Sequence, residues 1–200
     1  MIVDNTQQIR SMLNFEENDF YFLQVLKRRK DNPEMTRNMG VIKNFYIESR
    51  EDYDKKIPYI IEICHKENGR AYFRLNKRNY DHLGLLLVKR ALDYVMSGNP
   101  KALKNVFDSV AGEYHSDKDK TWVVDIDWVD FEEANRKPPA KLVQLLLVLQ
   151  REANREPLAV FIPTKNGVHI ITRPFNKKKF SDIYPNVDIH KDSPTILYMP

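Results

Sequence analysis

Cysteine is almost missing from this 200-residue chain: Cys64 is the only one. A single thiol excludes a disulfide framework and a thiolate zinc site. Set in Ile-Ile-Glu-Ile-Cys-His on an expected helix, Cys64 reads as a small buried hydrophobe. Long apolar runs are missing too. The longest, 142–149, is interrupted by Gln144 and falls well short of a membrane span. The opening Met-Ile-Val-Asp-Asn lacks the basic and apolar regions of a signal peptide, so the expected location is cytoplasmic, without a membrane partner. Charge of one sign is in small excess, 32 Lys and Arg against 28 Asp and Glu for a net +4, which fits contact with phosphates without demanding it. No internal repeat or low-complexity tract is visible. What remains is an ordinary globular composition, 42% hydrophobic and 30% charged, sized for one domain or two small lobes sharing a core.

The basic residues cluster, at Lys27-Arg28-Arg29-Lys30, from Arg70 to Arg78, and at Lys177-Lys178-Lys179. Clusters of this kind are more often solvated loop than nucleic-acid contact. Along the chain, the first fifteen residues read as a weakly docked lead-in. Residues 20–26 fit a strand or a helix, with the turn-like 27–33 favouring a strand; 41–47 read as a strand, and 50–66 as a helix ended by Gly69, with Pro58 a candidate to shift its start. Alternation of Ala71, Phe73 and Leu75 against Arg70, Tyr72 and Arg74 predicts a half-buried strand. Helices are expected over 79–96 and 102–114. In the second half, a strand at 122–128 precedes a helix opened by Pro138-Pro139, a hairpin across Thr164-Lys165-Asn166-Gly167, a short basic helix at 177–183, and strands at 187–189 and 195–199. From residue 121 onward this order describes a βαββαβ unit, one antiparallel sheet covered by helices.

The chemistry concentrates in Trp122-Val123-Val124-Asp125-Ile126-Asp127-Trp128. Its β-branched and aromatic residues mark a buried strand, and alternation sets Asp125 and Asp127 side by side on one face. Two ionised carboxylates at a buried strand end repel each other and lose hydration, and a divalent cation is the commonest remedy. Two further features accompany the pair. Gly167-Val168-His169 delivers an imidazole at a strand start, and Asp188 lies among apolar residues in Asn-Val-Asp-Ile. Three carboxylates suit Mg²⁺ or Mn²⁺, and an imidazole beside them suits a triphosphate tail.

In order and spacing, Val124-Asp125-Ile126-Asp127, then Lys165-Asn166-Gly167-Val168-His169, then Val187-Asp188-Ile189 resembles the archaeo-eukaryotic primase superfamily, and within it the small catalytic subunit of primase. The resemblance covers roughly residues 120–200, with only the general layout matched before that. It implies an α+β, two-lobed primase–polymerase-like fold: an amino-terminal α/β module over 1–118 and an RRM-like antiparallel sheet covered by helices over 119–200, within one compact catalytic domain. It implies Asp125, Asp127 and Asp188 as catalytic ligands of two metal ions, and His169 as a contact to the nucleotide phosphates, assisted by Lys165. Arg74 and Arg78, with Arg70, are candidates for binding template or triphosphate. The cysteine and histidine cluster that forms a zinc element in many primases is absent.

The implied activity is a metal-dependent nucleotidyltransferase, a DNA primase or polymerase acting on single-stranded DNA with nucleoside triphosphates. A separate helicase or primase accessory subunit is a possible partner. Two rival classes use the same features: a catalytically silent single-strand-binding replication module, with Tyr72, Tyr80 and Phe175 exposed for strand contact, and a metal-dependent nuclease.

Overall fold

The computed structural model describes residues 2–116, 119–130, 137–192 and 194–200, with Asp130 described by its backbone alone. In chain order the elements are β1 (Val3–Asp4), α1 (Thr6–Met12), β2 (Asp19–Arg28), β3 (Met39–Ile47), α2 (Arg50–Glu67), β4 (Arg70–Asn79), α3 (Tyr80–Met96), a 3-10 turn at Pro100–Asn105, and α4 (Val106–Glu113). They continue with β5 (Trp122–Asp127), a 3-10 turn at Trp128–Asp130, α5 (Ala140–Glu152), β6 (Val160–Pro163), β7 (Gly167–Thr172), α6 (Lys177–Ser181), β8 (Asp188–His190) and β9 (Thr195–Met199). The fold is α+β, built on two antiparallel sheets. Among the described residues, no helix is long and apolar enough to cross a membrane.

The second sheet has the order β6-β7-β5-β8. With α5 and α6 as crossovers this is the β-α-β-β-α-β arrangement, in which the first and third strands of the unit occupy the centre. Trp122, Val124 and Ile126 of β5 point to one face, where Leu142, Leu146 and Leu149 of α5 and Phe180 of α6 cover them. Burying each such side chain contributes about 1.5–3 kcal/mol, so the helices are held mainly by this contact. Val123 and Ile171 point to the opposite face and join a larger core with Leu23, Phe73, Ile60 and Tyr53 of the first sheet and α2. The two sheets therefore share one core at their interface.

Local chemistry explains both ends of α2. Ser49 caps α2 by accepting from the Asp52 amide at 3.0 Å, and Glu51 and Asp52 place negative charge in its first turn. Pro58 does not move that start: α2 runs from Arg50 with Pro58 inside it. At the other end, the left-handed residue is Asn68, with φ 45°, rather than the expected Gly69. Gly69 serves a different need, because a Cβ there would lie 2.9 Å from Ile42 Cδ1 and 3.3 Å from the Leu26 carbonyl oxygen. Gln150, fully buried, satisfies its amide completely: it donates to the Leu146 and Leu158 carbonyls and accepts from the Leu158 and Arg173 amides.

Three expectations need correction. The first fifteen residues are docked, not a loose lead-in: β1 pairs with β9, and Ile9 and Leu13 are buried in the shared core. The amphipathic spacing of Ile9 and Leu13 was there to be read, but the segment is short and its strand is two residues long. The final strand leaves the βαββαβ unit, since β9 pairs with β4 and β1 and completes the first sheet in the order β1-β9-β4-β2-β3. The two segments thus interlock, and the expected boundary at 118/119 falls at the edge of the described residues. Phe175 is buried against Trp122 and Phe180 rather than exposed for strand contact.

Candidate functional site

The register of the second sheet decides what its polar residues can do together. Asp125 on β5 lies directly opposite His169 on β7 and directly opposite Asp188 on β8. Directly opposed residues of antiparallel strands share a face, with Cβ atoms about 4.5–5.5 Å apart. Three groups distant in sequence therefore form one row, His169–Asp125–Asp188, on the face turned away from α5 and α6. Asp127, two residues further along β5, is on the same face and opposite Gly167.

Gly167 is held there by space, not by backbone torsion. A Cβ on it would stand 1.8 Å from the Ile126 carbonyl oxygen, inside any permissible contact. The β6–β7 turn closes onto β5 instead: the Trp128 amide donates to the Asn166 carbonyl at 3.0 Å, and the Thr164 amide to the Gly167 carbonyl at 3.0 Å. Gly167→Ala should therefore spread β5 from β7 and cost at least about 2 kcal/mol of stability, at the upper end of overpacking effects. Urea unfolding with a midpoint unchanged from wild type would contradict that close approach.

His169 is mostly buried. Its Nδ1 lies 2.8 Å from the Thr195 hydroxyl of β9, and its Nε2 lies 3.4 Å from an Asp125 carboxylate oxygen. Burial lowers its pKa; Asp125 pulls the other way, the neighbouring His190 lowers it further, and Asp127 raises it. The balance falls below the ordinary histidine value, which favours the neutral imidazole at neutral pH. Thr195 and His190 are site residues that sequence reasoning missed. His190 carried a usable signal, being two residues beyond Asp188 on a strand, but Thr195 arrives from the strand that crosses to the other sheet.

Asp125 is about one-third exposed, and Asp127 and Asp188 are exposed. Their oxygen donors suit a hard divalent cation. As the side chains stand, no three His, Cys, Asp or Glu residues among the described ones surround a common point closely enough to hold an ion. The fit lies in donor type and shared face, and the carboxylates would have to turn about their side-chain torsions to converge.

Lys165 is exposed at the tip of the hairpin. It borders a largely apolar pocket of about 580 Å³, lined in part by Trp128, Val143, Phe161, Pro163 and Val168, immediately beside Gly167. The same lysine also borders a second, polar cavity shared with Lys30 and Arg70.

The structure places Arg74 and Arg78 away from solvent and onto one counter-ion, Asp192, in the β8–β9 connection. Arg78 is fully buried; its Nε donates to the Ala111 carbonyl at 2.9 Å, its guanidinium also bonds the Asn76 carbonyl, and Nη2 reaches the Asp192 carboxylate at 2.9 Å. Burial depresses its pKa to about 10, against the pull of Asp192. Arg74 donates to the Asp192 carbonyl at 2.6 Å and its carboxylate at 3.1 Å, and Asn76 donates to the other Asp192 oxygen at 2.9 Å. This network ties β4 to the connection that follows Asp188. Every nitrogen of Arg78 has a protein partner, so its geometry is that of a structural arginine.

Searches among family models, curated proteins and solved structures find no match to this chain.

Proposed function

We propose that this protein is a metal-dependent nucleotidyltransferase of the primase–polymerase kind, extending or starting a strand on a single-stranded DNA template from nucleoside triphosphates. One observation carries the reading: the strand register that lines Asp125 between His169 and Asp188, with Asp127 on the same face. Asp125, Asp127 and Asp188 would hold the Mg²⁺ or Mn²⁺ ions. When bound, such ions lower the pKa of an attacking hydroxyl and neutralise charge on the departing pyrophosphate. His169, with Nδ1 beside the Thr195 hydroxyl and Nε2 beside Asp125, would contact the nucleotide phosphates in this reading. Lys165 supplies mobile positive charge at the mouth of the site. Arg74 and Arg78 act indirectly in this reading, by fixing the chain beyond Asp188 through Asp192.

The test is incubation of the protein with labelled nucleoside triphosphates and a single-stranded template, with and without a short primer, in Mg²⁺ and in Mn²⁺. Lengthened, labelled strands that vanish in chelator are the expected result. Shortened strands would identify a nuclease instead. Strands bound equally well in chelator but left unchanged would identify a silent binding module.

A further inference from the structure

The cluster at Arg28-Arg29-Lys30 is not scattered over a solvated loop. The turn after β2 brings these residues against the amino-terminal end of β4 and the tip of the β6–β7 hairpin. Arg28, Arg29 and Lys30 line a groove of about 640 Å³. Lys30 also lines the adjoining cavity of about 290 Å³, together with Asp31, Asn68, Arg70 and Lys165. Lys165 in turn borders the apolar pocket beside Gly167. Three depressions are thereby joined end to end by two shared lysines, and the last of them opens beside Gly167.

Among the described residues, Asp31 is the one carboxylate side chain lining this path, and Arg70 takes it in an ion pair of 2.7 Å. Lys27, just outside, is paired with Glu67 at 3.1 Å. Among the described residues, Arg28, Arg29, Lys30 and Lys165 have no carboxylate partner; Arg28 donates only to the Tyr72 hydroxyl, at 3.2 Å. Their mutual repulsion is felt: after desolvation, the charges of Arg28 and Arg70 lower the Lys30 pKa, Asp31 raises it, and Lys165 lowers it further, with a net downward shift. A run of unpaired cations converging on one groove is stabilised by a polyanion laid along it.

We infer that the path Arg28–Arg29–Lys30–Lys165 is a phosphate-backbone track for single-stranded nucleic acid, leading into the apolar pocket beside Gly167. A single strand is favoured over a duplex because the track ends in a pocket walled by Trp128, Phe161, Pro163 and Val168, which suits an unstacked base. In a duplex the bases stay paired and stacked and cannot enter. The inference deepens the proposed polymerase reading by placing its template strand, and it rests on that reading for the direction of travel, but it is tested without catalysis.

The experiment measures binding of a fluorescent single-stranded oligothymidine, in chelator and without nucleotides, across a salt series. Four phosphate contacts on a single strand predict a slope of log affinity against log salt near about −3. Lys30→Ala with Lys165→Ala should flatten that slope by about 1.4 and weaken binding about tenfold at 0.1 M salt. Arg29→Ala should flatten it by about 0.7. Lys104→Ala, in the 3-10 turn before α4, serves as the charge control and should leave it unchanged. All four positions are exposed, so thermal melting should match wild type in each variant. Affinity and slope unchanged in the double variant would overturn the track. So would a duplex of the same length binding as tightly as the single strand. Loss of binding in these variants, with no nucleotide incorporation by the wild type, would support the track while removing the polymerase reading. Incorporation with undisturbed binding would do the reverse.

Discussion

Asp125→Asn is expected to lower nucleotide incorporation by about a thousandfold or more, since several kcal/mol of charge stabilisation by bound metal would be lost and about 1.4 kcal/mol corresponds to tenfold in rate. Asn preserves the shape and removes only the charge. Asp125 stands at the centre of its row, with His169 on one side and Asp188 on the other, so no neighbouring carboxylate can take its position. The fold should not suffer. In the absence of metal, Asp125, Asp127 and Asp188 share one face of the sheet, and neutralising one relieves repulsion, so stability should hold within about 1 kcal/mol or rise. A second readout separates metal binding from folding: Mn²⁺ should raise the melting temperature of the wild type and not of the variant. Incorporation at the wild-type rate in Asp125→Asn would remove Asp125 from the chemistry. A melting temperature that Mn²⁺ raises equally in both proteins would place the ion elsewhere.

Arg78→Ala is expected to cost about 3–5 kcal/mol of folding stability, the range for breaking a buried ion pair on one side. The guanidinium is fully buried, bonded to the carbonyls of Ala111 and Asn76 and to the Asp192 carboxylate. Removing it leaves a cavity, two carbonyls short of a donor, and Asp192 held by Arg74 and Asn76 alone. Arg78→Lys should rescue little, because an ammonium cannot span three acceptors with the planar geometry of the guanidinium. Urea unfolding checks both variants. If Arg78 instead gripped template or triphosphate, Arg78→Ala would fold with wild-type stability and show only weakened nucleotide affinity. Full stability in that variant would therefore restore the substrate-binding role suggested by its place in a basic run.

Much of the second half was legible in one dimension. Alternation through Trp122–Asp127 identified β5 and put Asp125 and Asp127 on one face, and Asn166-Gly167 marked the hairpin between β6 and β7. Period and turn chemistry are local properties, and they survive folding when the tertiary environment agrees with them. The basic residues were less legible. Arg78 and Lys30 both sit in Lys/Arg-rich runs of similar composition, yet one is sealed inside the protein and the other lines an open groove. Composition reports that charge is present. It does not report whether a carboxylate from a remote connection, here Asp192, will meet it. The amino-terminal fifteen residues were misread for a related reason, because β1 has meaning only once β9 supplies its partner.

The residues alone determined the period of most elements, the shared face of Asp125 and Asp127, and an α+β composition of strands and helices. Only the tertiary structure decided that Asp125 faces His169 and Asp188 across neighbouring strands, that β9 joins the first sheet, and that Thr195 thereby reaches His169. The physical reason is that side-chain periodicity is encoded within a strand, whereas pairing and register are set between strands, by which faces bury together and which backbone donors find acceptors.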